Sequence, residues 1–111
     1  MLRVFICSPF RDDPEGNTRL VRELCLRALE AGVAPFAPHA FYTTVLDDAD
    51  DFERALGMAA GQAFVSACDE LWVWSKKGIT PGMAEELTRA HHSMVPIVYD
   101  PQCWIGAGEA S

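Results

Sequence analysis

Apolar and polar positions along the chain fall into short blocks whose period changes from block to block. Val4-Phe5-Ile6-Cys7 is an uninterrupted apolar run closed by Ser8-Pro9, the pattern of a strand buried on both faces. Residues 15–31 then take a helical period. Leu20, Val21, Leu24, Cys25, Ala28 and Leu29 form one stripe, Arg19, Arg22, Glu23, Arg27 and Glu30 lie off it, and Gly32 suits a C-cap. Residues 33–38 read as a second strand, whose two prolines assign it to a sheet edge. A long connection over 39–51 leads to a second helix marked by Phe52, Leu56, Ala59, Ala60, Ala63, Phe64 and Ala67, with Asp50 or Asp51 as its cap; its small residues Gly57, Ala59, Ala60, Gly61 and Ala63 permit close packing against the sheet or a second subunit. Residues 70–74 form a third strand and 75–80 a loop. Pro81 opens a helix to His92 with Met83, Leu87, Ala90 and Met94 on one face, and 95–99 is a fourth strand. Residues 100–111 show no period and read as a tail, either partly disordered or laid over a neighbouring subunit.

The order is β-α-β-loop-α-β-α-β. It predicts one α/β domain over 1–100, with 101–111 as its C-terminal tail. The expected architecture is a flavodoxin- or Rossmann-like parallel sheet of four to five strands in the order 2-1-3-4, with helices on both faces. In such sheets ligands sit beyond the carboxyl ends of the strands where the order reverses, here between strands 1 and 3. The loops bordering that crevice are Ser8-Pro9-Phe10-Arg11 and residues 75–82.

Composition narrows the functions such a crevice can serve. The chain has 111 residues, half of them hydrophobic, which suits a single domain with a real core. Nine Lys and Arg against 16 Asp and Glu give a net charge of −7, which argues against a grip on a nucleic-acid polymer. The four cysteines include no CxxC pair, so reduced thiols in a reducing compartment are expected. No apolar run approaches the ~20 residues of a membrane span or forms a signal peptide, which predicts a cytoplasmic protein with no membrane partner. His91 and His92 are adjacent and point apart on a helix, and no further ligand stands at metal spacing, so no metal site is expected. The chain lacks GxGxxG, a phosphate-loop lysine motif and a Gly-x-Ser-x-Gly elbow, and no cofactor is expected.

The sharpest distinction lies between two neighbouring glutamates. With about 100° per residue, Glu86 falls about 60° from Met83, on the border of the buried stripe, whereas Glu85 falls on the opposite side with Thr88 and His92. Glu86 also sits near a helix N-terminus that faces the crevice, where free N–H groups and the helix dipole favour an anion. Thr80 either caps that helix or donates to a phosphate, and Gly82 allows close approach to the backbone. Arg11 either forks onto an anion or pairs with Asp12 or Asp13. Ser8 is a ligand donor or a turn residue, and His39 lines the crevice or is a satisfied structural histidine.

Four segments together resemble the nucleoside 2-deoxyribosyltransferase-like superfamily, which includes deoxyribosyltransferases and nucleotide N-glycosidases. They are Val4-Phe5-Ile6-Cys7-Ser8-Pro9-Phe10-Arg11, Ala37-Pro38-His39, Cys68-Asp69-Glu70-Leu71-Trp72-Val73 and Thr80-Pro81-Gly82-Met83-Ala84-Glu85-Glu86-Leu87. The resemblance spans about residues 3–100 and places the family's catalytic glutamate on Glu86. It implies action on the N-glycosidic bond of a nucleotide or (deoxy)nucleoside. Glu86 attacks the anomeric carbon and displaces the base, and water or a second base resolves the glycosyl-enzyme. It further implies a substrate-binding set of Ser8, Phe10, Arg11, His39, Asp47, Thr80, Gly82 and Met83, and a homodimer or higher homo-oligomer whose subunits complete each other's pockets. Two positions depart from the family. Phe5 stands where several relatives have a tyrosine, and Gly61 lies near the place of an aspartate that assists proton transfer to the base. Asp47, Asp48, His39 or the partner subunit would then have to supply the acid. The alternative expectation is a non-catalytic nucleotide-binding or sensor module on the same fold.

Overall fold

The computed structural model describes residues 1–109. Strand β1 (Arg3–Cys7) alternates its side chains between two cores. Val4 and Ile6 face one layer, where they meet Leu20, Val21, Leu24 and Ala28 of α1 (Pro14–Glu30). Phe5 and Cys7 face the other, where they meet Met83 and Ala90 of α4 (Pro81–His92). A strand so enclosed has no polar face to show, hence its uninterrupted apolar run.

The sheet has four parallel strands in the order β2-β1-β3-β4, with β2 (Ala34–Phe36) and β4 (Ile97–Tyr99) at the edges and β3 (Glu70–Val73) beside β1. This is the expected topology, with helices on both faces and the reversal of order between β1 and β3. The edge strands are shorter than their apolar runs. Pro38 leaves β2 to start a short helix, α2 (Pro38–Tyr42), and Val95 closes α4 through its N–H to the Ala90 carbonyl before Pro96, which has no N–H.

Helix α3 (Asp51–Ala63) exists where expected, capped by Asp50, but part of its apolar stripe turns outward. Phe52 is largely exposed and Leu56 half so, Ala59, Ala63 and Ala67 are exposed too, and Phe64, half exposed, packs its ring against Phe36 at 4.9 Å. Glycines make the inward face. Gly57 sits against Leu46 and Tyr42, and a Cβ on Gly61 would lie 2.9 Å from Pro38 Cβ, so α3 rides on α2 with no room for a side chain at 61. Leu29 of α1 is likewise exposed rather than part of the buried stripe.

Through residue 109 the segment after β4 packs on its own chain, and residues 110–111 lie outside the described residues. A short 3-10 turn (Gln102–Trp104) drives Trp104 into the α1 layer, edge-on to Trp72, with its indole N–H donating to the Leu24 carbonyl at 3.0 Å. Arg27 holds the Ile105 carbonyl at 2.6 Å. Gly108 has φ +81° and lies so close to Trp74 that a Cβ would meet its ring at 2.9 Å. Among the described residues no helix is long and apolar enough to cross a membrane. Trp104→Ala therefore removes a core side chain and is expected to cost about 3–5 kcal/mol in denaturant unfolding; a change under about 0.5 kcal/mol would show that the segment adds nothing to the core.

Candidate functional site

Beyond the carboxyl ends of β1 and β3 the chain leaves two adjoining spaces. The inner one is a narrow cavity of about 30 Å³ next to Glu86, walled by α2, the following loop and α3. The outer one is a cleft of about 360 Å³ between the β1 loop and the start of α4. His39, Arg54 and Met58 line both.

Glu86 is the central group. Its position two turns into α4, next to the Met83–Ala90 stripe, turns its carboxyl into the interior, and it is 3% exposed while Glu85 is in solvent. Oε1 has no hydrogen-bond partner among the described residues. Burial pushes the carboxyl up to about 8; the Cys7 thiol beneath it pulls the other way, and the Glu85 charge adds slightly. Cys7 is itself fully buried, with its thiol turned to the Met83 carbonyl at 3.7 Å and pushed up by the same desolvation. The free carboxyl at neutral pH is thus mostly the neutral acid.

Around it the expected residues separate into groups. Ser8 is 1% exposed, lines the outer cleft, and its Oγ has no partner among the described residues. Phe10 stacks on His39 with ring centroids 5.3 Å apart and closes the cleft. Burial holds His39 below the ordinary imidazole range, partly offset by the Ser8 carbonyl and Asp48. Thr80 is the α4 N-cap, its Oγ accepting from the Met83 N–H at 3.2 Å, and it also lines the cleft with Gly82. Met83 forms the floor with its side chain in the core. Arg11 stands on the rim, half exposed, and pairs with Asp51 at 3.6 Å rather than with Asp12 or Asp13. Asp13 instead caps α1. Asp47 is exposed and lies outside the Glu86 cavity; its neighbour Asp48 lines it, with Glu53 and Tyr42.

Arg54 is a site residue that periodicity does not single out. Its Nη1 donates to both Asp48 carboxylate oxygens, at 3.2 and 3.4 Å, with both side chains mostly buried. One signal was available: Arg54 is the sole Lys or Arg between Arg27 and Lys76.

Residues 2–100 match the domain of unknown function DUF7768. The chain belongs to this family. No protein of curated function matches the DUF7768 chain in sequence. Its fold is similar to the solved structure of a 2-deoxyribosyltransferase from the psychrotolerant bacterium Bacillus psychrosaccharolyticus, described as a biocatalyst for the synthesis of antiviral and antitumoral nucleosides. The TM-score is 0.68 at 14% identity, over 87% of this chain and 70% of that one. At that identity the likeness shows a shared fold.

The buried carboxyl has a consequence for folding. The folded value of about 8 lies above the ordinary 4.5, so the stabilising contribution of the protonated form is complete below about pH 4.5 and is lost as pH rises through about 8. Glu86→Gln keeps the shape and removes the ionisation. The variant's stability relative to the wild type is expected to rise from about pH 5 to about pH 8 and to level off above that in denaturant titrations. A constant difference across that range would mean that the carboxyl is not desolvated.

Proposed function

We propose that the protein cleaves or transfers at the N-glycosidic bond of a nucleoside or nucleotide, with Glu86 as nucleophile. The observation that carries this is a carboxyl, buried alone among the described residues and with one oxygen that has no partner among them, lining the inner cavity that shares His39, Arg54 and Met58 with the outer cleft beyond the sheet's reversal point. The fold shared with a deoxyribosyltransferase supports the same reading. The Glu86 carboxylate attacks the anomeric carbon as the C–N bond breaks and the electron pair leaves with the base, which takes up a proton. Water or a second base then attacks the glycosyl ester and restores the carboxylate. Ser8, Thr80 and Gly82 hold the far end of the sugar, and His39 and Phe10 close the cleft over it.

The nucleophile must be ionised, so kcat/KM for base release is expected to rise about tenfold per pH unit below about 8 and level off above it. Glu86→Gln is expected to remove base release by at least ~10³-fold without loss of folding. Chromatography after incubation with a panel of nucleosides and nucleotides reads both. Base release by a folded Glu86→Gln variant at the wild-type rate would refute the role of Glu86.

One observation favours a second reading, a non-catalytic nucleotide sensor. Gly61 is packed against Pro38 and leaves no space for an acid at that position. Ligand-induced thermal stabilisation with no base released by the wild type at any pH from 6 to 9 would select it.

We also propose a homo-oligomer through the exposed face of α3, where Phe52 and Leu56 stand 73% and 49% exposed. Leu56→Glu is expected to convert an assembled wild type to monomer in light scattering. A monomeric wild type at micromolar concentration would contradict it.

A further inference from the structure

The wall shared by the two spaces includes a cation, Arg54, beside Met58 and His39. Arg54 lines both the Glu86 cavity and the outer cleft, and Asp48 fixes it by taking Nη1 alone. The remaining edge of the guanidinium, Nε and Nη2, makes no hydrogen bond among the described residues, and Nη2 lies 3.7 Å from the point where a side chain on Gly82 would begin. Gly82 is in the first turn of α4, where its N–H has no intrahelical acceptor. Ser8, nine-tenths buried and more, lines the same cleft with an unpartnered Oγ. A neutral 5′-hydroxyl needs one or two of these groups. A fixed guanidinium edge, a helix N-terminus and a buried hydroxyl together match an anion with several acceptor oxygens.

We infer that Arg54 is the specificity-determining residue that selects a phosphorylated sugar over its neutral counterpart, with Asp48 as its positioning residue. This deepens the reading of the cleft as a nucleoside or nucleotide site by naming nucleoside 5′-monophosphates as the substrate class. It assigns the anion to the mostly buried Arg54 rather than to the rim residue Arg11, whose pair with Asp51 is exposed on both sides. A rim charge is screened and mobile, whereas a cation held by a carboxylate inside the wall is already oriented.

The test uses probes without a glycosidic bond, so it does not depend on turnover. Calorimetry compares 2-deoxyribose 5-phosphate with 2-deoxyribose on the full chain. The wild type is expected to bind the phosphate roughly ten- to hundredfold more tightly, the factor that hydrogen bonds to a charged group supply. Arg54→Met should reduce that ratio to about one with the affinity for 2-deoxyribose kept. Arg11→Met should change it by about fivefold or less. Asp48→Asn weakens the pair but keeps the cation; the ratio is expected to fall only part of the way there, and an unchanged ratio would overturn the positioning role of Asp48. Should Arg54→Met fail to fold, Gly82→Ala carries the same test. Its methyl would make ordinary contacts of 3.4 Å to Met58 Cε and 3.7 Å to Arg54 Nη2, occupy the anion's space and lower the ratio. Equal binding of the two sugars by the wild type, or a ratio that survives in Arg54→Met and falls in Arg11→Met, would overturn the proposal. A phosphate preference that depends on Arg54, without base release from any nucleotide, would uphold it and remove only the catalytic reading.

Discussion

The structure turns on one costly placement, a carboxyl shut away from water with no partner among the described residues for one of its oxygens. A buried ionised carboxylate would be too expensive to keep, so the group takes the neutral form and gives up its charge at neutral pH. Everything around Glu86 serves to hold it there. The Met83–Ala90 stripe locks α4 onto Phe5 and Cys7, Thr80 fixes the helix start, and the α2–α3 junction covers the outer side.

That cover depends on small residues. Because a Cβ on Gly61 would collide with Pro38, α3 lies close against α2, and the same closeness brings Arg54 and Met58 to the entrance of the cavity. The strand reversal supplies the opening and the glycines supply the wall. The cost is an apolar outer face on α3, bearing Phe52 and Leu56, that the single chain leaves in solvent.

How much of this was legible in the sequence follows from where period carries information. The four strands, their order and the inward phase of Glu86 rest on long apolar patterns, and the structure has the strands and helix in those places. The outward turn of Phe52 and Leu56 escapes a period that ranks side chains by hydrophobicity, whereas the close packing at Gly57 and Gly61 is what their small size permits. Trp104 could not be placed, since a three-residue turn has no period to read. Asp47 and Asp48 are neighbours in an acidic loop, and only the fold decides which of them faces inward. Arg54 follows from the same limit, although its isolation among the cations marked it.

The central claim is that Glu86 is a desolvated carboxyl, and its ionisation can be followed directly. With glutamate labelled at the side-chain carboxyl carbon, the Glu86 resonance is assigned by its loss in Glu86→Gln and followed by carbon NMR from pH 4 to 10. The account predicts a midpoint of about 8, so the resonance at pH 6 is that of the acid. A midpoint near the ordinary 4.5 would contradict it and mean that water reaches the Glu86 carboxyl.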